Sequence, residues 1–529
     1  MPVRGLLDWL ERPSAERGIR FAEPDGGWDF WSYARLARLV ERCAAALAAR
    51  EVEPGARVAV LARPGPRMVA SLFGTMLAGA TPTLLAPPLA LQDGNEHRRA
   101  AAAVLAAADP ACVLMDADLL DRVEAYAPKA VTFDALLAEA GGTVGKRDLA
   151  EHALVQFTSG TSGAARGVCV SHDALAANVA AIGQWLRITP EDTAACWLPV
   201  HHDMGLVGCL LAPVVHGAAI RLIRPEDFLR RPLRYLRCFG EDGAALTAMP
   251  AFGLDYLARR VPPRELAGLD FSRWRAIVVG AERIRADTLD RFYRLCAPHG
   301  LSRSAILPAY GLAETTLAVT GLPLGEQWGT RAVSSGAPLV GCGRVLPGMR
   351  ASIVNEEGTP LPAGAVGEIV VRGDSVAAGY LGAVPDGTQT RFAGDAVYTG
   401  DAGFLVDGQL YVFGRLGDAL KIRGRTLFAE DLELALTPLG LPIERYTVLL
   451  GERERAPVVV GVLEQGDRGC RVAAERILRG RSEGAEVVVV RVPPGTVPRT
   501  TSGKPKRRRV WASFLAGALP EAAERKDLG

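Results

Sequence analysis

The sequence has no marked excess of charge of either sign. Among its 529 residues, Lys and Arg number 61 and Asp and Glu number 59, which leaves a formal net charge of +2. A chain so nearly neutral produces no overall field that would hold a polyanion. Nucleic acid is therefore not expected to be its main partner.

Long hydrophobic runs are also missing. The longest apolar stretch extends from Met204 to Ile220 and contains Pro213 and His216. A transmembrane helix needs about 20 predominantly apolar residues, so this stretch predicts a buried helix and no membrane span. The N-terminal segment has Asp8 and Glu11 where a signal peptide would require an unbroken apolar core, so export is not indicated.

The nine cysteines never form a Cys-x-x-Cys pair. Such pairs clamp zinc or carry out redox chemistry. The cysteines of this chain are odd in number and widely scattered, which indicates reduced thiols. Together with the unfavourable N-terminus for export, they predict a cytoplasmic protein.

What the sequence does contain is the pattern of a large α/β enzyme. Hydrophobic residues make up 49% of the chain, and its length calls for several packed units. Ala- and Leu-rich helical stretches alternate with short apolar runs such as Arg57–Ala62, which predicts an α/β sheet. Short strands broken by Gly and Pro predict a β-rich subdomain at about 333–413. A shorter α+β stretch follows, with strands near 457–463 and 486–492.

A Gly/Ser/Thr loop follows the apolar run Ala153–Phe157 and extends to Gly167. Such a loop lets backbone amides and hydroxyls approach a polyphosphate. It is not a Walker loop, because no Gly-Lys-Ser/Thr follows, and as a hydrolase nucleophile elbow it lacks the final Gly. Taken alone, such a loop is more often a flexible turn than a phosphate site.

Two further segments combine glycine with chemically useful side chains. In Pro308–Thr316, the aromatic ring of Tyr310 could stack on a base and the carboxylate of Glu314 could hold Mg²⁺. In Tyr398–Phe404, Asp401 is predicted to lie in a tight turn, where it could accept both hydroxyls of a ribose. Arg415 is predicted just beyond the next strand.

Two other segments carry cations and histidines. Lys504 closes the run Pro498–Lys504 and is followed by basic residues up to Arg509, for which a solvated basic face is the simplest interpretation. The neighbouring His201 and His202 precede Asp203, but adjacent residues seldom chelate one ion without distant ligands, so a metal site is not favoured there.

In this order and spacing, the segments resemble the adenylate-forming superfamily of acyl-CoA synthetases, peptide-synthetase adenylation domains and luciferases, over nearly the whole chain. Within it the strongest likeness is to fatty acyl-AMP ligases. The segments that carry this likeness are His202–Leu206, Leu269–Arg275, Gly280–Leu289 and Pro308–Glu314.

The resemblance implies an activity and a nucleotide site. A carboxylate would attack the α-phosphorus of ATP, pyrophosphate would leave, and the acyl-adenylate would pass to a thiol. Tyr310 would stack on adenine, Glu314 would hold Mg²⁺, and Asp401 and Arg415 would fix the ribose. Arg166 would support the phosphates, where many relatives have Lys. The remaining nucleotide-binding residues would be Thr158, Ser159, Gly160, Thr161, Ser162 and Gly163 around the phosphates, and Gly280, Ala281, Glu282, Gly311 and Ala313 around adenine.

The resemblance also implies two domains and a catalytic lysine. Residues 1–416 would form a large N-terminal domain with two layered α/β sheets and the β-rich subdomain, and residues 417–529 a small mobile C-terminal α+β domain. Lys504 would act on the charge formed during adenylation, and His202 would lie beside the acyl group. Gly417 takes the pivot position, where relatives usually have Asp or Lys.

The acid and the thiol acceptor are less sharply indicated. Ala313 replaces the Thr of CoA synthetases, which favours transfer to the phosphopantetheine arm of an acyl carrier protein. The stretch 320–334 is shorter than in typical fatty acyl-AMP ligases, which favours free CoA. Transfer to another nucleophile and an inactive binding homologue are further alternatives. Because the strongest likeness is to fatty acyl-AMP ligases, a fatty acid is the expected substrate.

Overall fold

The structure is a computed structural model of the whole chain. It describes residues 5–88, 94–123, 126–139, 148–158, 166–333, 338–384, 389–422, 425–453, 456–482, 484–499 and 505–522. Lys504 and the loop residues Ser159, Gly160, Thr161, Ser162 and Gly163 lie outside these residues.

A nine-stranded sheet forms the centre of the molecule. Its six inner strands are parallel, and antiparallel strands close both edges. Because parallel strands direct their carboxyl ends to one edge, residues that end neighbouring strands meet there. The strands, in spatial order, are Arg344–Val345, Ala318–Gly321, Ile306–Gly311, Ala276–Gly280, Leu246–Pro250, Thr193–Cys196, Ala219–Leu222, Gly18–Ala22 and Trp28–Ser32.

A second, four-stranded parallel sheet lies in the N-terminal part of the chain. Hydroxyls of its strand Thr81–Leu84 donate to carbonyls of the neighbouring strand His152–Thr158, with Thr83 Oγ1 2.8 Å from the Val155 oxygen. This arrangement agrees with the expected two layers of α/β sheet. The four-stranded sheet consists of Thr81–Leu84, Arg57–Leu61, Cys112–Met115 and Ala130–Thr132, and an antiparallel sheet beside it of Gly379–Tyr380, Arg166–Ser171 and His152–Thr158.

An antiparallel sheet follows in the chain, where short alternating strands were expected. It has its own apolar core, which includes Val319, Ile369, Val397 and Leu410. Its strands are Met349–Val354, Gly367–Gly373, Ala396–Val406, Arg391–Ala393 and Gln409–Arg415, and a separate two-stranded sheet joins Thr330–Arg331 to Leu339–Val340.

The C-terminal residues form a smaller α+β unit. A three-stranded sheet has helices on its two faces, and separate apolar clusters contain Leu432 and Leu478 on one side and Val458 and Val510 on the other. The position of the domain boundary at 416–417 stays a prediction. The strands are Tyr446–Arg453, Ala456–Leu463 and Glu486–Arg491, preceded by the hairpin Ala419–Ile422 and Arg425–Phe428.

Helices begin where the sequence supplies caps or proline. Ser32 and Ser171 accept hydrogen bonds from the amides of Arg35 and Ala174, which satisfies amides that have no partner within the helix. The α-helices are Tyr33–Ala49, Pro66–Leu77, Gly94–Ala108, Leu120–Val123, Phe133–Ala138, His172–Leu186, Ala212–Val215, Pro225–Arg230, Pro232–Gly240, Ala251–Arg260, Ala286–Cys296, Ala429–Ala435, Arg468–Arg481 and Arg507–Leu515.

The predicted single helix over Met204–Ile220 is wrong in its C-terminal part. Residues Met204–Leu211 form a π-helix that continues into the α-helix Ala212–Val215. Gly217, at φ +72°, then turns the chain, and residues from Ala219 belong to the central sheet. Pro213 supplies no amide to the helix and glycine tolerates the left-handed conformation, so the helix ends early.

No helix in the described ranges is both long and apolar enough to cross a bilayer. All nine cysteines are free thiols, and Cys470 is the least buried of them.

Candidate active site

A connected set of polar side chains lies where the central sheet meets the antiparallel sheet. Tyr310 lies one residue before the end of the strand Ile306–Gly311, and Glu314 follows in the short turn Ala313–Thr315. Three neighbouring elements bring their partners to this point from distant parts of the sequence. We call the set the polar ring; its members are Arg166, Tyr310, Glu314, Tyr380, Thr390, Asp401 and Arg415.

One half of the polar ring surrounds the buried carboxylate of Glu314. The Tyr380 hydroxyl donates to Glu314 Oε1 at 2.6 Å. Arg166 donates to the same hydroxyl at 3.2 Å and lies 3.9 Å from Glu314 Oε1. Burial, and then the charge of Glu314, raise the pKa of Tyr380, so its phenol stays a hydrogen-bond donor at neutral pH.

The other half joins Asp401 to Arg415 and Tyr310. Arg415 Nε lies 2.8 Å from Asp401 Oδ1, and the Tyr310 hydroxyl donates to Asp401 Oδ2 at 2.7 Å. Asp401 raises the pKa of Arg415, and burial raises the pKa of Tyr310. The guanidinium therefore stays charged and the phenol neutral, which fixes both as donors to the carboxylate.

Thr390 connects the two halves. Arg415 donates to its hydroxyl at 3.2 Å, and Tyr380 lies 3.4 Å from its carbonyl oxygen. The Thr390 hydroxyl donates in turn to the carbonyl of Thr399, two residues before Asp401. The motif residues around Asp401 and Glu314 thus share one network.

The predicted tight turn at Asp401 is wrong. Asp401 lies inside the eleven-residue strand Ala396–Val406 and pairs directly with Arg415, the last residue of the next strand rather than a residue beyond it. Gly400, at φ +70°, and a register shift between Ala402 and Gly403 bend the strand without ending it. Glycines can mark an irregular strand as well as a turn.

Close backbone contacts and strained residues surround the polar ring. A Cβ on Gly311 would lie 1.8 Å from the Leu317 oxygen, so only glycine fits there. Ala281 and the buried β-branched Thr316 have φ values of +66° and +68°, which L-residues seldom adopt. Such strain commonly accompanies functional sites. Ala313 is buried in the same turn, where its carbonyl accepts from Thr316.

Gly280 ends the strand next to that of Tyr310, at the carboxyl edge of the sheet, and Ala281 follows it. Glu282, expected beside the nucleotide, accepts a hydrogen bond from the Phe252 amide at 2.6 Å. That contact caps the helix Ala251–Arg260. One oxygen of the Glu282 carboxylate is thus engaged by a helix terminus, and the expected contact of Glu282 with the nucleotide stays a prediction.

The residues on either side of the Gly/Ser/Thr loop have buried polar atoms without partners. Thr158 Oγ1 and Arg166 Nε find no hydrogen-bond partner within the described parts of the chain. Buried polar atoms normally have partners, and phosphate oxygens would supply them. Magnesium is usually held by one or two carboxylates together with substrate phosphates. Glu314 therefore fits the expected ATP and Mg²⁺, although no cluster of three or more metal-ligating side chains occurs among the described residues.

An apolar cavity opens beside the polar ring. It contains about 780 Å³ of empty space, its opening to solvent included. It lies between the central sheet and two helical segments, His172–Leu186 and Met204–Val215. We call the end of the cavity that adjoins the polar ring its mouth; the lining residues at this end are Asp203, Met204, Gly280, Ala281, Tyr310 and Gly311.

His202 does not line this cavity. Its ring lies 4.6 Å from that of His201, and the cavity wall is formed instead by the next residues, Asp203 and Met204. Burial lowers the pKa of His201 well below its ordinary value, so that imidazole is neutral. Sequence analysis singled out this segment but not the residues that face the cavity.

A second cluster of charges holds the C-terminal unit near the predicted hinge. Arg507 contacts Asp418 at 2.8 Å, Glu430 at 3.1 Å and Glu433 at 2.8 Å. The expected solvated basic face is therefore wrong at Arg507, which is largely removed from solvent and whose charge three carboxylates compensate. Burial raises the pKa of Glu430 to about 7. Gly417, in the same turn as Asp418, donates its amide to Gln389 at 2.9 Å.

The AMP-binding enzyme family matches residues 10–381 of the chain. The chain belongs to this family. A solved structure from a study of fatty acyl-adenylate ligases from E. coli and L. pneumophila is 28% identical, with a TM-score of 0.88, and covers 98% of this chain and 99% of the other. The fold of this AMP-binding enzyme is thus the fold expected from the sequence.

Protein relatives of this AMP-binding enzyme carry two kinds of name. A Mycobacterium tuberculosis protein named as a fatty-acid–CoA ligase, fadD25, is 31% identical over 93% of this chain and 94% of its own length. A Mycobacterium bovis protein named 4-hydroxyphenylalkanoate adenylyltransferase is 31% identical over 87% of this chain and 82% of its own length. Both kinds of name describe activation of a carboxylic acid.

Several contributors to the site were not found from the sequence. Tyr380, Thr390 and Thr399 complete the polar ring network, and Gly208 and Ala309 line the cavity. Tyr380 follows a glycine in a two-residue strand, which gave no motif. The glycines and alanines of the cavity resemble ordinary packing residues until the fold brings them together.

Proposed function

We propose that this enzyme activates a fatty acid with ATP to form acyl-AMP and pyrophosphate, and then transfers the acyl group to the phosphopantetheine thiol of an acyl carrier protein. The observation that carries the proposal is the shared wall at Tyr310 and Gly311. These residues belong to the nucleotide-binding motif and also line the apolar cavity. An acid whose tail fills the cavity would present its carboxylate beside the polar ring.

The polar ring positions ATP in this proposal. Asp401 offers its carboxylate to the ribose hydroxyls, and Arg415 and Tyr310 hold that carboxylate still through two hydrogen bonds. Reactions of this type depend chiefly on positioning of the reacting groups. A carboxylate already fixed by neighbouring donors needs no rearrangement when the nucleotide binds.

Charge at the phosphates comes from the other half of the ring. Arg166 would act on the phosphate oxygens through Nε, which has no partner among the described residues, while another of its nitrogens keeps contact with Tyr380. Mg²⁺, when bound at Glu314, would neutralise phosphate charge. Lys504 would stabilise the crowded α-phosphate and the incoming carboxylate, an effect worth roughly 2 to 4 kcal/mol for one preorganised donor.

Acid-dependent exchange of labelled pyrophosphate into ATP tests the first half-reaction. The assay contains Mg²⁺ and no thiol, with fatty acids in one pool and aromatic and amino acids in another. Exchange with the fatty pool supports the proposal. Exchange restricted to the other pool would discard the fatty acid, and exchange with neither would leave an inactive homologue.

Free CoA is the second candidate acceptor. The relatives named as CoA ligases favour it, as does the short stretch 320–334. The two acceptors are separated by incubating the acyl-adenylate-loaded enzyme with a phosphopantetheinylated carrier protein or with CoA at equal concentration. The proposal requires that the acylated carrier protein form faster than the CoA thioester. A faster CoA thioester would overturn this second step and leave the first intact.

A further inference from the structure

The apolar cavity runs along the strands of the central sheet. Its mouth is level with Gly280, and it extends to Leu246 and Ala194 near the amino ends of their strands. In the register of the sheet, Gly280 faces Pro250 and Ala276 faces Leu246. The cavity therefore spans four residues of strand, about 13 Å at 3.3 Å per residue.

The far end of the cavity is closed by a fixed segment. Leu186 and Ile188 line the cavity there, at the end of the helix His172–Leu186. Arg275 holds this segment: it donates to the Arg187 carbonyl at 3.1 Å and pairs with Asp192 at 2.6 Å. We call this closed far end of the cavity its floor. Because an ion pair and hydrogen bonds tie it to the sheet, it is not easily displaced by a longer ligand.

The walls of the cavity offer space without polar partners. Gly208, Ala248 and Ala318 contribute little or no side chain. Four of the described lining residues have side chains with strong hydrogen-bonding groups, and all four are engaged. Trp185 donates its ring N–H to the Leu322 carbonyl at 2.7 Å, and the Tyr310 hydroxyl donates to Asp401. Thr247 donates its hydroxyl to the Ala195 carbonyl at 2.8 Å, and Asp203 accepts from the Met204 amide at the mouth. A hydroxyl at the end of a substrate would be buried without a partner, which is unfavourable.

We infer that the cavity selects aliphatic acids of about ten carbons, and that Leu246 and Ala248 are residues that determine this length. A zigzag chain with bonds near 1.52 Å advances about 1.3 Å per carbon, so about ten carbons fill the 13 Å depth. The inference rests on the proposed function. It names a narrower class than fatty acids and excludes the hydroxyaryl acids in the name of one relative.

Two substitutions in one strand should change the preferred chain length of the acid in opposite directions. Ala248 and Leu246 are two residues apart and face the same cavity. Ala248→Leu adds atoms midway down, so activity with ten-carbon acid should fall at least tenfold while activity with four- to six-carbon acids persists. Leu246→Ala removes atoms at the floor, so the optimum should move to acids longer by two or more carbons.

The test is pyrophosphate exchange by the full-length enzyme with straight-chain acids of four to eighteen carbons and with a 4-hydroxyphenylalkanoate. An optimum near ten carbons, shifted oppositely by the two variants, supports the inference. An optimum at sixteen or more carbons, a preference for the hydroxyaryl acid, or equal loss across all lengths in both variants would overturn it. Ala248→Val serves if Ala248→Leu does not fold, as judged by thermal melting.

The two levels of failure remain distinguishable. If none of the acids supports exchange, the proposed function is overturned, and the inference about chain length is overturned with it. Exchange with acids of the wrong length overturns the length inference alone.

Discussion

The polar ring and the apolar cavity meet at Tyr310, yet they are built in opposite ways. Each side chain of the polar ring is fixed by a hydrogen bond or ion pair to another, as with Asp401 and Arg415 at 2.8 Å. The cavity exists because residues such as Gly208 and Ala248 lack atoms that would fill it. The polar ring is thus defined by contacts between side chains and the cavity by space left unfilled. Substitutions in the ring should therefore change exchange activity or ATP binding, and substitutions in the cavity should change which acid is accepted.

The largest effect is expected from Lys504→Ala. Removing the cation that would act on the α-phosphate should lower pyrophosphate exchange by about 10²- to 10³-fold, equally for acids of all lengths. Lys421→Ala is the matched control, because Lys421 is exposed and pairs with the exposed Glu356. Retention of full exchange by the Lys504 variant would remove this residue from the mechanism.

Glu314→Gln should follow, with a loss of roughly 100-fold. The amide keeps the shape of the side chain but loses the charge that would hold Mg²⁺, which is bound through carboxylates and phosphates. Exchange should be measured across a Mg²⁺ titration, where the variant should need more metal. Glu326→Gln, at an exposed pair with Arg344, should behave as the unaltered enzyme. If the loss of exchange depended on the chain length of the acid, the polar ring and the cavity would not act separately.

Asp401→Asn should act mainly on ATP binding. Hydrogen bonds to a charged group contribute about 1.5 to 3 kcal/mol, so the KM for ATP should rise at least tenfold while the preference among acids stays the same. Arg415 also loses its charged partner, so the melting temperature should decrease. An unchanged KM for ATP would exclude Asp401 from the ribose site.

Tyr310→Phe makes the sharpest test of the shared wall because it removes only a hydroxyl. The aromatic face that would stack on adenine remains, and the hydrogen bond to Asp401 is lost. The Asp401 carboxylate and its Arg415 partner remain, so the KM for ATP should rise by a smaller factor than in Asp401→Asn, with no change in chain-length preference. A change in chain-length preference would show that the ring and the cavity are coupled.

The smallest effect concerns the charge cluster around Arg507, which lies outside both regions. The Glu430 pKa is raised from 4.5 to about 7, so the folded state retains a proton that the unfolded chain loses. Stability should therefore fall as pH rises through this range, by at most about 1.4 kcal/mol per pH unit. Arg507, Asp418 and Glu433 face the same carboxyl.

Glu430→Gln should flatten the melting temperature between pH 5 and pH 7. The amide no longer titrates, so the loss of the proton no longer penalises folding. Glu452→Gln, on an exposed strand residue of the same unit, should leave the slope unchanged. A slope that persists in the Glu430 variant would assign the titration to another group.

The sequence predicted the fold class and much of the polar ring because those features depend on local patterns. The apolar run Arg57–Ala62 contains the parallel strand Arg57–Leu61, as expected for a short buried run between helices. Tyr310, Glu314, Asp401 and Arg415 came together as one network. Their proposed roles toward ATP still await the experiments above.

The rest of the site depends on distances that local patterns do not contain. Asp401 was assigned to a turn because glycine permits both turns and bent strands, and only pairing with Arg415 decides between them. Tyr380 reaches Glu314 from 66 residues away. The cavity follows from the packing of two helical segments on a sheet, so its depth had no counterpart in any motif.

The small side chains of the cavity also affect how this enzyme could change during evolution. A single methyl group added at Gly208 or Ala248 would alter which acid fits, while the ring of polar contacts would be untouched. New substrates would thus be reachable one point substitution at a time, without loss of the ancestral chemistry. Descendants of one such gene would then differ in acid specificity while sharing the same nucleotide site.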